Sequence, residues 1–345
     1  MRRTSIRFAL TIATALASSL PVANVGAEEA KGQPGEATCK GTDMLAEFAA
    51  TDPGLYARVM DEARKLENSE ALLWKIEKPG LAPSYLFGTV HLSDPRVTAM
   101  PEKVMAALGS VKSFALEVAE LSDVAMAKAM ADAAPLLIYT DGHMLSEKLT
   151  ADEFKQVESL IGKSGMPAEM AGLLKPWIVN MLLAVSECER QKLAAGTQVL
   201  DMRLADEAKK RGLTVSGLET IAQQLASLAE VPDDQQIAML KSGLKYGDRT
   251  NDMMETLIQL YLKHQVGAAM PFQLALAAKS GTPATAFDGL NKSLLVDRNI
   301  RMRDGMKAMF EKSPAFIAVG ALHLPGKTGI VALLKEAGYT LTPVE

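Results

Sequence analysis

Two stretches decide the fold: SYLFGTVHL at 84–92 and AFIAVGALHL at 315–324. Each is a short apolar run, rich in aromatic and β-branched residues, that closes on Gly-x-x-His-Leu. Runs of this length and composition read as buried strands. The first continues as SDPRVTAMPEKVMAALGSVKSFALEV (93–118) and the second as PGKTGIVALLKEAGYTLTPV (325–344). Both continuations run loop, helix, strand. The echo points to two related halves, or to two strands of one kind in a single sheet.

The rest of the chain is read outward from these runs. ALLWKIE (71–77) is a strand, and Lys78-Pro79-Gly80 turns it into the first stretch, which predicts a hairpin. Met44 to Glu67 has helical spacing broken at Asp52-Pro53-Gly54, which predicts two short helices. Pro101 to Leu108 reads as a helix and Ser113 to Val118 as a strand. From Ser122 to about Ser280 apolar residues recur at helical spacing, interrupted by a short strand over Leu213–Glu219. Ser293 to Phe310 predicts a helix, Thr328 to Ala337 another, and Tyr339 to Thr342 a closing strand. The expected fold is α/β: a mixed β-sheet core with the Gly-x-x-His motifs at strand C-terminal ends, and a largely helical insertion at about 122–280. Residues 39–345 are expected to form one domain.

In open α/β sheets the carboxyl ends of the strands line the ligand crevice. His91, Glu117, Glu219 and His323 each lie at or just past such an end. The duplicated motif holds two of the four histidines, which points to His91 and His323 sharing one site. Glu117 sits in the apolar run Phe-Ala-Leu-Glu-Val, where a carboxylate is costly unless paired or metal-bound. Glu219 is a second candidate carboxylate, with capping of the helix at Thr220 as the plainer reading. Arg298 is a candidate counter-ion or anion stabiliser. Two neutral imidazoles and a carboxylate suffice for a divalent metal ion such as Zn, Mn or Co. His143 follows a turn and His264 ends a helix, so neither reads as a ligand. The stretch Gly320–Thr328 imitates a phosphate loop but has five residues between its glycines where four are needed. The 19 methionines read as core filler.

Composition narrows the class. The chain has 345 residues, 48% hydrophobic and 23% charged, an ordinary globular balance. A net charge of −4 argues against a basic nucleic-acid face. MRRTSIR carries no acid, Phe8 to Val25 is apolar and small, and Val25-Gly26-Ala27 offers a cleavage site. This predicts a Sec signal peptide over 1–27, cleaved after Ala27. Ser, Thr, Pro21 and Asn24 break the run, so no stable membrane span is expected. Cleavage removes three arginines and no acid, taking the net charge from −4 to −7. Residues 28–38 read as a flexible tail. An exported, periplasmic protein is expected. In that oxidising compartment Cys39 and Cys188, the two cysteines of the chain, are expected to pair, with two separate buried thiols as the alternative. Two cysteines and no HExxH exclude Cys-rich zinc modules and the common zincin layout.

At these residues the chain resembles the TraB/GumN family, grouped with TraB/PrgY and the TIKI metalloproteases. The resemblance runs from about Cys39 to Pro343. Its carriers are SYLFGTVHLSDP (84–95), Ala115-Leu-Glu117, Lys175-Pro-Trp177, Gly217-Leu-Glu219-Thr220, Arg298-Asn299 and VGALHLPG (319–326). Where the family carries Glu-Gln after that Thr, this chain has Gln223-Gln224. The resemblance implies a sheet with helical additions, similar to erythromycin-esterase-like and haem-handling ChaN-like proteins. It also implies a metal-dependent hydrolase or peptidase centred on His91, His323 and Glu117. The expected chemistry is hydrolysis of a peptide or small-molecule substrate by metal-activated water. His91 and His323 would hold the metal, with Glu117 as third ligand or general base. Glu219 would carry a proton, and Arg298 would stabilise the oxyanion or bind a substrate carboxylate. The rival is a non-catalytic periplasmic protein that binds haem, metal or peptide in the same cleft.

Overall fold

The computed structural model describes residues 38–119 and 123–344. The expected signal segment 1–27, and 28–37 of the expected tail, lie outside the described residues.

The hairpin forms as its sequence dictates. β1 (Leu73–Glu77) pairs antiparallel with β2 (Ser84–Thr89), with Leu73 opposite Phe87 and Ile76 opposite Ser84. The Leu81 N–H donates to the Lys78 carbonyl at 3.0 Å, and Gly80 takes φ 83°. Proline then glycine at the two central positions is what such a turn demands. β3 (Ser113–Leu116), β4 (Thr214–Gly217), β5 (Ala315–Gly320) and β6 (Thr340–Pro343) complete a six-stranded sheet in the order β4-β3-β5-β2-β1-β6. β4, β3, β5 and β2 are mutually parallel, and β1 runs antiparallel to β2 and β6. The sheet is therefore mixed. The two strands of the sequence echo, β2 and β5, are neighbours in register, with Thr89 opposite Gly320. They are two strands of one kind in one sheet.

Both faces of the sheet are covered, which its strand alternation requires. Phe87, Phe114, Phe316 and Ala318 pack on one face against Leu200, Leu204 and Ala208 of the helix Leu200–Lys210. Leu86, Ala115, Ile317 and Val319 pack on the other against Met302, Met306 and Phe310 of the helix Asp297–Phe310 and against Val331 and Leu334. A separate apolar cluster, with Trp177, Val179, Ile161 and Leu225, holds the helical region between β3 and β5. The helices Met44–Thr51 and Pro53–Arg64 pack on the helix Ala269–Lys279. Asp52 caps the second of them, with Pro53 in its first turn.

Some boundaries differ from the sequence reading. The helix expected over Ser293–Phe310 is a π-helical segment, Asn291–Val296, followed by α-helix from Asp297. Such wide turns rephase a helix and recur at functional sites. The strand expected to reach His323 ends at Gly320, and Ala321–His323 is a 3-10 turn. Cys39 and Cys188 form a disulfide, tying the start of the described chain to the helix Glu187–Ala194. Among the described residues no helix is long and apolar enough to cross a membrane.

Candidate functional site

Four parallel strands side by side aim their carboxyl ends the same way. His91 lies two residues beyond β2, Glu117 one beyond β3, Glu219 two beyond β4 and His323 three beyond β5. The structure therefore brings the expected residues together at one edge of the sheet. A Cβ placed on Gly320 would stand 3.2 Å from Glu117 Oε1, 3.6 Å from His323 Cδ2 and 3.7 Å from His91 Nε2. Those side chains surround the bare Cα of Gly320.

Each imidazole is oriented from behind. His91 Nδ1 meets Asp201 Oδ2 at 2.9 Å, and the Thr89 hydroxyl donates to Asp201 Oδ1 at 2.6 Å. That leaves His91 Nε2 turned to the cluster. The Asp201 charge raises the His91 pKa to about 9. His323 is buried, and its Nδ1 lies 2.6 Å from Asn299 Oδ1. The Asn299 Nδ2 donates to the Thr328 carbonyl at 2.8 Å, so Oδ1 is the acceptor and His323 Nδ1 carries the proton. Burial pushes His323 down to about 4, so the ring is neutral near pH 7. Its Nε2 then presents a lone pair to Glu117 Oε1 at 3.6 Å.

Glu117 is buried but not alone. Its Oε1 accepts the Gly320 N–H at 2.7 Å, and its Oε2 accepts from Arg298 Nη2 at 2.6 Å and Gln224 Nε2 at 3.2 Å. Burial works to raise its pKa, yet the guanidinium and N–H donors hold the carboxyl well below the usual range. Arg298 also donates from Nε to Glu219 Oε2 at 2.8 Å. Arg301 donates to Glu219 Oε1 from Nη2 at 3.0 Å and Nε at 3.2 Å. The Glu219 side chain has no exposed area and both oxygens are paired. It does not cap the next helix. Thr220 and Gln223 do so reciprocally, so the glutamine in place of the family's acid keeps the capping box.

Several contributors were not singled out from sequence. Asp201 looked like an ordinary acid in the first turn of a helix, where it suits the dipole anyway. Gln224 entered only within the Gln223-Gln224 pair of the family resemblance, and Arg301 gave no signal. Asn299 did carry one. Arg298 and Asn299 precede Met302, Met306 and Phe310 on the buried stripe of their helix, where a polar pair needs partners. His143 is exposed beside Glu147, as expected of a turn residue, and His264 ends its helix at φ 55°.

The donor set fits a divalent cation in kind. The His323 Nε2 lone pair faces an ionised carboxylate oxygen, and His91 Nε2, likewise fixed by a partner on Nδ1, would offer a second lone pair once an ion displaces its proton. Such backing partners are the usual second layer of a histidine metal site. An Nε2 lone pair facing a carboxylate oxygen at 3.6 Å is two acceptors in opposition, an arrangement that a cation between them relieves. Among the described residues no three His, Cys, Asp or Glu side chains form a ready-made metal cage.

Parallel strand ends that gather two Gly-x-x-His imidazoles and a buried glutamate define the class of this α/β protein. The chain belongs to the TraB/PrgY/gumN family, whose sequence model matches residues 72–343. It is similar to metalloprotease TIKI2 of Danio rerio, 25% identical over 345 positions, covering 84% of this chain and 64% of that protein. Metalloprotease TIKI1 of Homo sapiens is 24% identical over 370 positions, covering 94% and 68%. The uncharacterized protein YbaP of Escherichia coli (strain K12) is 23% identical over 261 positions, covering 75% and 90%. The chain thus spans about two thirds of the length of these TIKI relatives. No solved structure matches it.

Proposed function

We propose that this protein is an exported, peptidase-like hydrolase acting through a divalent metal ion at the His91–Glu117–His323 cluster. The observation that carries this reading is the opposition of a fixed His323 lone pair and an ionised Glu117 oxygen, with His91 Nε2 beside them. His91, His323 and Glu117 would hold the ion, of the Zn, Mn or Co type. When bound, such an ion supplies Lewis-acid polarisation of a carbonyl and makes water a stronger acid.

The other residues have work of their own. Asp201 and Asn299 set the tautomers of the two histidines. Arg298 holds Glu117 ionised and oriented through a charge-assisted hydrogen bond. Glu219, enclosed between Arg298 and Arg301, is better suited to hold Arg298 than to carry a proton. Glu117 Oε1 is the carboxylate oxygen nearest Gly320, and its strongly held ionised state suits it to hold the ion rather than to take a proton. The Cys39–Cys188 disulfide supports an oxidising, exported setting. Haem ligation by both histidines is less well supported, because His323 is 5% exposed.

The test is metal content by mass spectrometry on mature protein, wild type beside His91→Ala/His323→Ala, each reloaded with Zn, Mn or Co and desalted. Near-stoichiometric metal in the wild type and none in the double variant is expected, with peptide cleavage tracking the metal. Metal retained by the double variant would place the ion elsewhere and overturn the assignment.

A further inference from the structure

The second Gly-x-x-His turn leaves one side chain unexplained. Leu322 is 39% exposed although His323 beside it is 5% exposed. It borders a cavity of ≈ 390 Å³ between the helices Pro176–Ala184, Asp233–Leu244, Thr250–Leu262 and Ala269–Lys279. That volume falls in the range of small-ligand sites, about 300–1,000 Å³. Met181, Met239, Met253, Met254 and Met270 line it, and among the described residues no charged side chain does. Three polar residues along the wall are engaged elsewhere. Gln236 serves the Trp177 N–H and the Val231 carbonyl, the Tyr246 hydroxyl the Leu276 carbonyl, and Ser242 the Ser280 hydroxyl.

The cavity borders three of the segments that carry the site. Leu322 immediately precedes His323, Leu228 follows Gln224 by four residues, and Leu294 precedes Arg298 by four. In the helix Ile221–Ala229 four residues are close to one turn, which puts Gln224 and Leu228 on the same side, about 6 Å apart along the axis. The segments that present His323, Gln224 and Arg298 to Glu117 therefore also form one end of the apolar wall.

We propose that this cavity is the specificity pocket of the site. It takes a flexible apolar side chain, of the leucine or methionine kind, from a peptide held across Gly320. The proposal rests on the peptidase reading above. A thioether lining without charge leaves an ionised side chain desolvated and unpaired, which is strongly unfavourable. Unbranched, polarisable methionines adapt to apolar chains of differing shape. The substrate class is thus a peptide with an apolar, non-acidic residue beside the bond cleaved.

The experiment uses mature protein loaded with Zn, Mn or Co and five fluorescein-labelled hexapeptides that differ at one residue: Leu, Met, Phe, Ala or Asp. Binding is read by anisotropy and cleavage by product mass. Ala184→Trp, at an exposed helix end, fills the cavity, and Leu322→Ser removes its apolar link to the site. Met239→Ala enlarges the pocket as a third variant, and melting temperatures confirm folding of each. The wild type should bind the Leu and Met peptides roughly 10- to 100-fold tighter than the Ala peptide. Ala184→Trp and Leu322→Ser should lose that preference while keeping the Ala affinity, and Met239→Ala should shift it toward a Phe peptide. Equal affinities across the series would overturn the pocket and leave the hydrolase reading standing if the peptides are cut. Selective binding with no cleavage under any metal would support the pocket and overturn the hydrolase reading. No binding of any peptide would overturn both. Displacement of the Leu peptide by palmitate at lower concentration than by unlabelled Leu peptide would overturn it in favour of an acyl-chain site.

Discussion

Asp201 sets the charge of His91. Its carboxylate raises the histidine pKa to about 9, while the exposed side of the ring lets solvent screen part of that interaction. A raised folded pKa means the pair stabilises the fold fully below the unfolded histidine value of about 6.5 and fades as pH rises through the folded one. Asp201→Asn should therefore lower the urea midpoint at pH 6 and do so much less at pH 10. The His91 resonance should also titrate closer to 6.5 in the variant. The same loss at both pH values would show that packing, not charge, explains Asp201. His91, Glu117 and His323 were legible because chemistry-bearing side chains stood at the ends of apolar runs. Asp201 was not legible, since its partner is 110 positions away and its own helix accounts for it locally.

At the scale of the element, the repeated Gly-x-x-His string hides two different reasons for glycine. A Cβ on Gly88 would lie 2.7 Å from Leu324 Cδ1 and 3.1 Å from the Ala321 Cα, so the first motif is bare to let the second motif's turn pack on it. A Cβ on Gly320 would meet the site itself. Gly320 has φ −52°, which any residue adopts without strain. Gly88→Ala should therefore lose about 1–3 kcal/mol of stability through overpacking. Gly320→Ala should keep its melting temperature within a few degrees and lose metal binding. Thermal melts and metal content on the two variants separate the cases, and the reverse pattern would refute the assignment of roles. The π-helical segment Asn291–Val296 belongs to this scale too. Apolar periodicity extends smoothly through Ser293–Phe310, and a widened turn leaves almost no trace in a pattern averaged over several turns.

Across the whole molecule the disulfide joins the fold to the site. Cys39 and Cys188 are 149 positions apart, and closing so long a loop in the unfolded chain is worth at most about 5 kcal/mol of entropy. The helix Glu187–Ala194 that carries Cys188 also holds the loop after His91, because Glu189 Oε1 accepts the Ser93 N–H at 2.6 Å. Reduction, or Cys39→Ser/Cys188→Ser, should lower the unfolding free energy by about 2–5 kcal/mol and weaken metal binding together. Denaturant titrations of oxidised and reduced protein, each with its metal affinity, check this. An unchanged midpoint would show that the tether is incidental.

The strands, the residues at their carboxyl ends and the hairpin were legible in the chain alone, which left the two cysteines either paired or as separate thiols. These depend on short-range periodicity, turn chemistry and counting, all of which are local. Tertiary structure decided that β2 and β5 are neighbours, that β3 and β4 complete the parallel run, and so that His91, Glu117 and His323 surround one glycine. It also decided that Glu219 is enclosed by two arginines, that Asn299 fixes a tautomer, and that five scattered methionines line one cavity. Each of those contacts joins separately formed elements. A side chain's partners across such a junction follow from how the elements pack, which no local pattern encodes.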